Sequence, residues 1–149
     1  MLNFIRGYLM AMHRTLVLLF VSLFVTSVFA EVLLETSSTW EGGEIVYPKG
    51  DPEITSVILR LGEGDMTDFH CHPVPTLGYI LSGSIEVETK TGKKSKFNEG
   101  ESVVELMGTL HRSKAIDGPV EIVVFYVGET LTPNTVLGIH DPDFIYCDR

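Results

Sequence analysis

Three histidines hold the chemistry this sequence offers. His70 and His72 lie two apart, on either side of Cys71, in a stretch from Gly64 to Gly83 that reads as extended chain. Side chains at i and i+2 of a strand share a face, so two imidazoles look into one volume. His111 comes three residues after Gly108 and is the only other histidine between His13 and His140. Three neutral imidazoles meeting at one point form a ligand set for a single divalent transition metal ion, whether iron, manganese, zinc, nickel or copper. Such a set leaves coordination positions open to water or substrate. Around it, Val74, Thr76, Leu77 and Tyr79 are the candidate lining of a substrate pocket. Glu105 and Tyr79 are the candidate acid or base groups, with Glu105 reaching inward if the parity of its strand allows.

The spacing of these residues resembles that of the cupins. The first cupin motif is a glycine, five residues, His-x-His, a glutamate further on and a closing glycine; Gly64, His70, His72 and Gly83 stand at those positions. Thr76 occupies the glutamate's place. In the second motif Gly100, Gly108 and His111 match, while Leu106 and Ala115 replace a proline and an asparagine. The resemblance runs from about Glu53 to Val127, and the run from His70 to Pro75 looks like a small single-domain subgroup. It implies an all-β double-stranded β-helix, or jelly-roll barrel, with His70, His72 and His111 on a metal. Lacking the glutamate, the site resembles three-histidine cupins, which include thiol dioxygenases and a diketone-cleaving dioxygenase, so iron oxygenase chemistry stays open.

The elements that must position these residues read independently as β. Ile54–Leu61, Ser84–Thr89, Lys94–Phe97, Ser102–Glu105 and Val120–Val127 are rich in β-branched or alternating residues. Glu44–Tyr47 is a candidate first strand. Turn residues separate these runs at Gly62–Gly64, Lys90–Lys93, Asn98–Gly100 and Ile116–Pro119. No segment reads as an amphipathic helix. Short strands with turns about every ten residues point to a sandwich or barrel. Pro73-Val74-Pro75 stiffens the chain after His72 and is expected to wall the mouth of the pocket.

The division expected along the chain is a secretory signal at 1–30, an arm and first strand at 31–52, the barrel at 53–128 and a tail at 129–149. The signal reading rests on Arg6 and Arg14, a short apolar core from Leu16 to Val25 and a small-x-small site at Val28-Phe29-Ala30, with Met12 an alternative start. Its core is too short to span a bilayer, which takes about 20 apolar residues. Periplasmic or secreted location follows, with no membrane span after cleavage. Beyond residue 30, nine basic residues face twenty acidic ones, a formal net charge of −11, which repels nucleic acid and anionic membrane. Cys71 alternates to the face opposite the histidines, and in an exported chain its pairing with Cys147 is open.

An exported metal-binding cupin, using its three-histidine site on a small organic molecule by oxygenase-like or Lewis-acid chemistry, is the reading these features favour. The alternative is a barrel that binds or senses a small ligand without catalysis. Homodimerisation by paired sheet edges is compatible with both.

Overall fold

Two long strands, each bent in the middle, form the frame of the barrel. The structure is a computed structural model that describes residues 28–147; the expected signal at 1–30 lies almost wholly outside the described residues. Strand β1 is Pro52–Leu61, β2 His70–Cys71, β3 Thr76–Thr89, β4 Lys94–Asn98, β5 Ser102–Val104, β6 His111–Glu129 and β7 Val136–Leu137, followed by a 3-10 turn at Gly138–His140. The sheet runs β4-β3-β6-β2-β7, with β1 on β6 and β5 on β3, and every one of these pairings is antiparallel. This is an all-β jelly-roll barrel.

Alternation decides which side chains enter the barrel, and it switches once in each long strand. In β3 the buried positions are Thr76, Gly78 and Ile80, then Ile85, Val87 and Thr89. In β6 they are His111, Ser113 and Ala115, then Val120, Ile122 and Val124. The switch, from even to odd in β3 and from odd to even in β6, coincides with register shifts between Ile80 and Ser84 and with positive φ at Asp117 and Gly118. An extra residue in a ladder turns every later side chain to the other face. Ile116–Pro119, expected as a turn, therefore bends a continuous strand instead, and Ser82–Gly83 bends the strand opposite it. At that bend the strands touch: a Cβ on Gly83, whose φ is +80°, would collide with the Pro119 carbonyl oxygen. Glycine alone fits there.

The apolar core is where the two switched halves meet, at Ile80, Ile85, Ala115, Val120, Ile122 and Val124, with Leu59, Leu61 and Phe97 packed against it. The expected first strand at Glu44–Tyr47 does not form; only Glu44 pairs, with Ser38. Instead the arm turns at Thr39–Gly43 and docks on β5, where Trp40 N–H donates to the Val104 carbonyl and its ring meets Phe97 edge-on. The segment after β6 also has structure. Val136 and Leu137 pair with Cys71 and His70, and Cys71 is disulfide-bonded to Cys147. Asp141, buried, accepts hydrogen bonds from the N–H groups of Ile145, Tyr146 and Cys147, which folds the tail onto the barrel. Among the described residues no helix is long and apolar enough to cross a membrane.

Candidate metal centre

The histidine cluster follows from strand register. His70 of β2 is the cross-strand partner of His111 of β6, so their rings lie on one face with centroids 4.5 Å apart. His72 is two residues on and shares that face, its ring 5.0 Å from His70 and 5.1 Å from His111. One ring nitrogen from each lies within 4.8 Å of the other two. His72 continues beyond β2 through a bridge to Met107, and Gly108 N–H donates to the His72 carbonyl. Gly108 itself has a φ of +65°, which turns the chain toward His111.

Each imidazole is oriented by the main chain. His70 Nδ1 lies 2.8 Å from the Asp68 carbonyl oxygen, His111 Nδ1 2.8 Å from that of Thr109 and His72 Nδ1 3.0 Å from that of Asn134. A carbonyl only accepts, so Nδ1 carries the proton and donates in all three rings. The Nε2 lone pairs are left for the interior, an arrangement typical of ligating histidine. Burial lowers the pKa of all three below 6.5, most for His72, and charge on a neighbouring ring adds to this at His70 and His72. Buried, neutral and mutually close, the rings are poised as donors to a cation.

The Glu105 carboxylate stands beside them. Its Oε2 is 3.7 Å from His111 Nε2, and both atoms are buried without a hydrogen-bond partner. Burial raises its pKa from 4.5 to about 7, against the lowering influence of His70, of the Trp40 indole and of the Leu106 backbone. Two orphaned acceptors turned toward one another is a costly arrangement by itself. A divalent cation would relieve both, and in this respect the residues fit a bound metal ion.

A cavity of about 270 Å³ opens onto the cluster. Its walls are largely apolar, from Leu59, Ile80, Ile85, Val103, Ile122 and Val124, with Thr67, Thr76, Ser113 and Thr135 as polar points. Of the candidate lining residues, Thr76 is there, its hydroxyl donating back to the Val74 carbonyl. The other three are not. Leu77 and Tyr79 fall on the opposite parity of β3, against Val104 and Ser102 of β5, so Tyr79 is withdrawn both as lining and as an acid or base. Val74 is fully buried but borders a separate groove with Tyr47, Met107 and Tyr146. Pro73 and Val74 thus line that second groove, and none of Pro73, Val74 and Pro75 lines the cavity at the histidines.

Tyr126 was missed. Its ring lies 5.7 Å from that of His72 and it lines the cavity. The run from Val120 to Val127 is apolar at both parities, so alternation could not assign its inner face; only the pairing of Thr76 with Tyr126 does so. His140 is exposed, away from the cluster.

Comparison with known proteins agrees with the fold. The cupin domain family matches residues 57–126. The DMSP lyase DddQ from Ruegeria pomeroyi DSS-3 superposes with a TM-score of 0.51 at 23% identity, over 59% of this chain and 44% of that one. A structure of the DMSP lyases RdDddP and RnDddQII gives 0.50 at 15% identity, over 57% and 44%. Oxalate decarboxylase from Bacillus subtilis gives 0.49 at 21% identity, over 57% and 24%. The chain thus spans less than half the length of each, and the likeness is one of fold. Among curated proteins, no sequence matches.

Proposed function

We propose that this cupin barrel is an exported metalloprotein that uses a mononuclear centre at His70, His72 and His111 to transform a small organic molecule. The single observation that carries the reading is the convergence of three imidazoles, each with Nδ1 committed to a carbonyl and Nε2 free, at an apolar cavity. A metal bound there supplies Lewis-acid polarisation or oxygen chemistry. The chain's own residues do the rest. Ile80, Ile122 and Val124 exclude water, and Tyr126 and Thr76 flank the space above the imidazoles. The cavity volume suits a molecule of a few heavy atoms rather than a polymer. That the DMSP lyases work in the same fold supports small-molecule chemistry. Export is supported by the Cys71–Cys147 disulfide, since such bonds persist in oxidising compartments, and by the basic, apolar N-terminal sequence.

The second reading, a barrel that binds a small ligand without catalysis, is favoured by one observation: Tyr79 faces away, which removes one of two expected acid or base groups. Elemental analysis of protein purified without a chelating column separates the two, with a His70→Ala/His72→Ala variant beside it. We expect about one metal ion per chain in the native protein and none in the variant. A folded native protein that takes up no metal on reconstitution sinks the metalloenzyme reading in favour of the ligand-binding barrel.

A further inference from the structure

We infer that Glu105 is a fourth metal ligand, carried by the strand next to the one where the cupin motif places its glutamate. The inference rests on the three-histidine centre proposed above and adds a residue to it. Position 76, the glutamate's place in that motif, holds Thr76, whose short hydroxyl is spent on the Val74 carbonyl. Glu105 is its lateral neighbour. The Glu105 N–H donates to the Thr76 carbonyl at 2.8 Å, continuing the ladder in which Leu77 pairs with Val104. Adjacent strands lie roughly 4.8 Å apart, within the span of a glutamate side chain, so a carboxylate can cross from one strand to the next and enter the same volume.

Parity sends it inward. Val103 and Glu105 both line the cavity, while Val104 between them is turned outward beneath the docked arm. The carboxylate reaches the cluster at His111: its Oε2 lies 3.7 Å from His111 Nε2, neither atom has a hydrogen-bond partner, and the three histidine nitrogens themselves lie within 4.8 Å of one another. Two ligands held about 2.0–2.2 Å from one ion are separated by roughly 3.5 Å in a tetrahedral site, close to this spacing. Among the described residues no Lys or Arg forms an ion pair with the carboxylate. Among the described ion pairs, its only partner is the His111 ring, whose Nδ1 proton points the other way. Three imidazoles and one carboxylate give a divalent ion a net charge of +1 rather than +2, and they fill one of the positions that three histidines alone would leave open.

Zinc affinity, measured by competition with a chromophoric chelator, tests the assignment in the native protein, Glu105→Gln, Thr76→Glu/Glu105→Gln and His70→Ala/His72→Ala. Loss of an outer-sphere partner costs about 10–100-fold. Glu105→Gln is expected to lose more than about 100-fold, and the double variant, with the carboxylate moved back across the ladder, to regain affinity that no merely structural role would restore. Native affinity in Glu105→Gln overturns the fourth ligand and leaves the three-histidine centre standing. No zinc binding by the native protein overturns both. Should Glu105→Gln fail to fold, infrared difference spectra of the native protein decide: zinc loading shifts a carboxylate stretch if Glu105 ligates, and an unchanged carboxylate region refutes it.

Discussion

The cavity has two unlike walls, and they are held by different forces. One is the cluster of Ile80, Ile85, Ala115, Val120, Ile122 and Val124, which depends on burial alone. The other is the histidine wall, where His72 and His111 are as buried as the isoleucines but gain nothing from desolvation. That wall stands because the main chain holds each Nδ1 and because the tail is strapped behind it through β7 and the Cys71–Cys147 disulfide. The difference teaches where stability and chemistry separate in this barrel: the apolar wall carries folding energy, and the histidine wall consumes some of it to keep ligands aligned.

Mutation of each wall should expose the division. Ile80 is 1% exposed at the centre of the apolar cluster. Ile80→Ala is expected to cost about 2–5 kcal/mol in denaturant unfolding, while the zinc affinity of the folded fraction stays within about tenfold of native. A variant that unfolds at native denaturant concentrations would show that this wall is not the principal source of stability.

Opening the strap gives the next effect. The disulfide closes a separation of 76 residues, for which loss of the bond costs typically about 2–4 kcal/mol. A Cys71→Ser/Cys147→Ser variant is expected to lose that stability and to bind zinc more weakly as well, because β7 no longer braces His70. Weakened folding with unchanged metal affinity would assign the strap to stability alone.

The smallest effect is in pH. The three imidazoles have folded pKa values below 6.5, so the stability their neutral forms contribute is complete above 6.5 and is lost as pH falls through the folded values. Glu105 runs the other way: with a folded pKa of about 7 against 4.5, its contribution is complete below 4.5 and is lost as pH rises through 7. Between pH 4.5 and 7 the single Glu105 opposes the three imidazoles, so thermal melts of metal-free protein should fall off below pH 6.5, less steeply than the imidazoles alone would give, and stay level above about pH 7. In His70→Ala/His72→Ala the acid limb should flatten; an unchanged acid limb would place the titrating groups elsewhere.

Much of this was legible before any coordinates. Spacing alone placed His70 and His72 on one face, because alternation is a local property of extended chain, while His111 was joined to them through its place after Gly108 and the resemblance to the second cupin motif. Ile54–Leu61 read correctly from its β-branched composition and Lys94–Phe97 from the hairpin turn before it, as did the all-β class from the spacing of short strands and turns. Where both parities of a strand are apolar, that signal disappears, and the inner position of Tyr126 was invisible. Leu77 and Tyr79 were assigned to the pocket by proximity in sequence, although alternation with Thr76 already argues against them.

What only the tertiary structure decided are the relations between distant strands. Ser82–Gly83 and Ile116–Pro119 carry turn residues, but whether such residues reverse a strand or bend it depends on the partner opposite, and here each bulge is the other's partner. The tail at 129–149 carried no strand expectation; its pairing with β2 brings Val136 and Leu137 alongside Cys71 and His70. Glu105 entered the site because β5 lies beside β3 in a register that sets it against Thr76. The sequence by itself determined which residues face the same way, since that is written in steps of two along one chain. Which faces meet, and hence what stands beside the three histidines, was decided by long-range hydrogen-bond register, a property of two strands that neither carries alone.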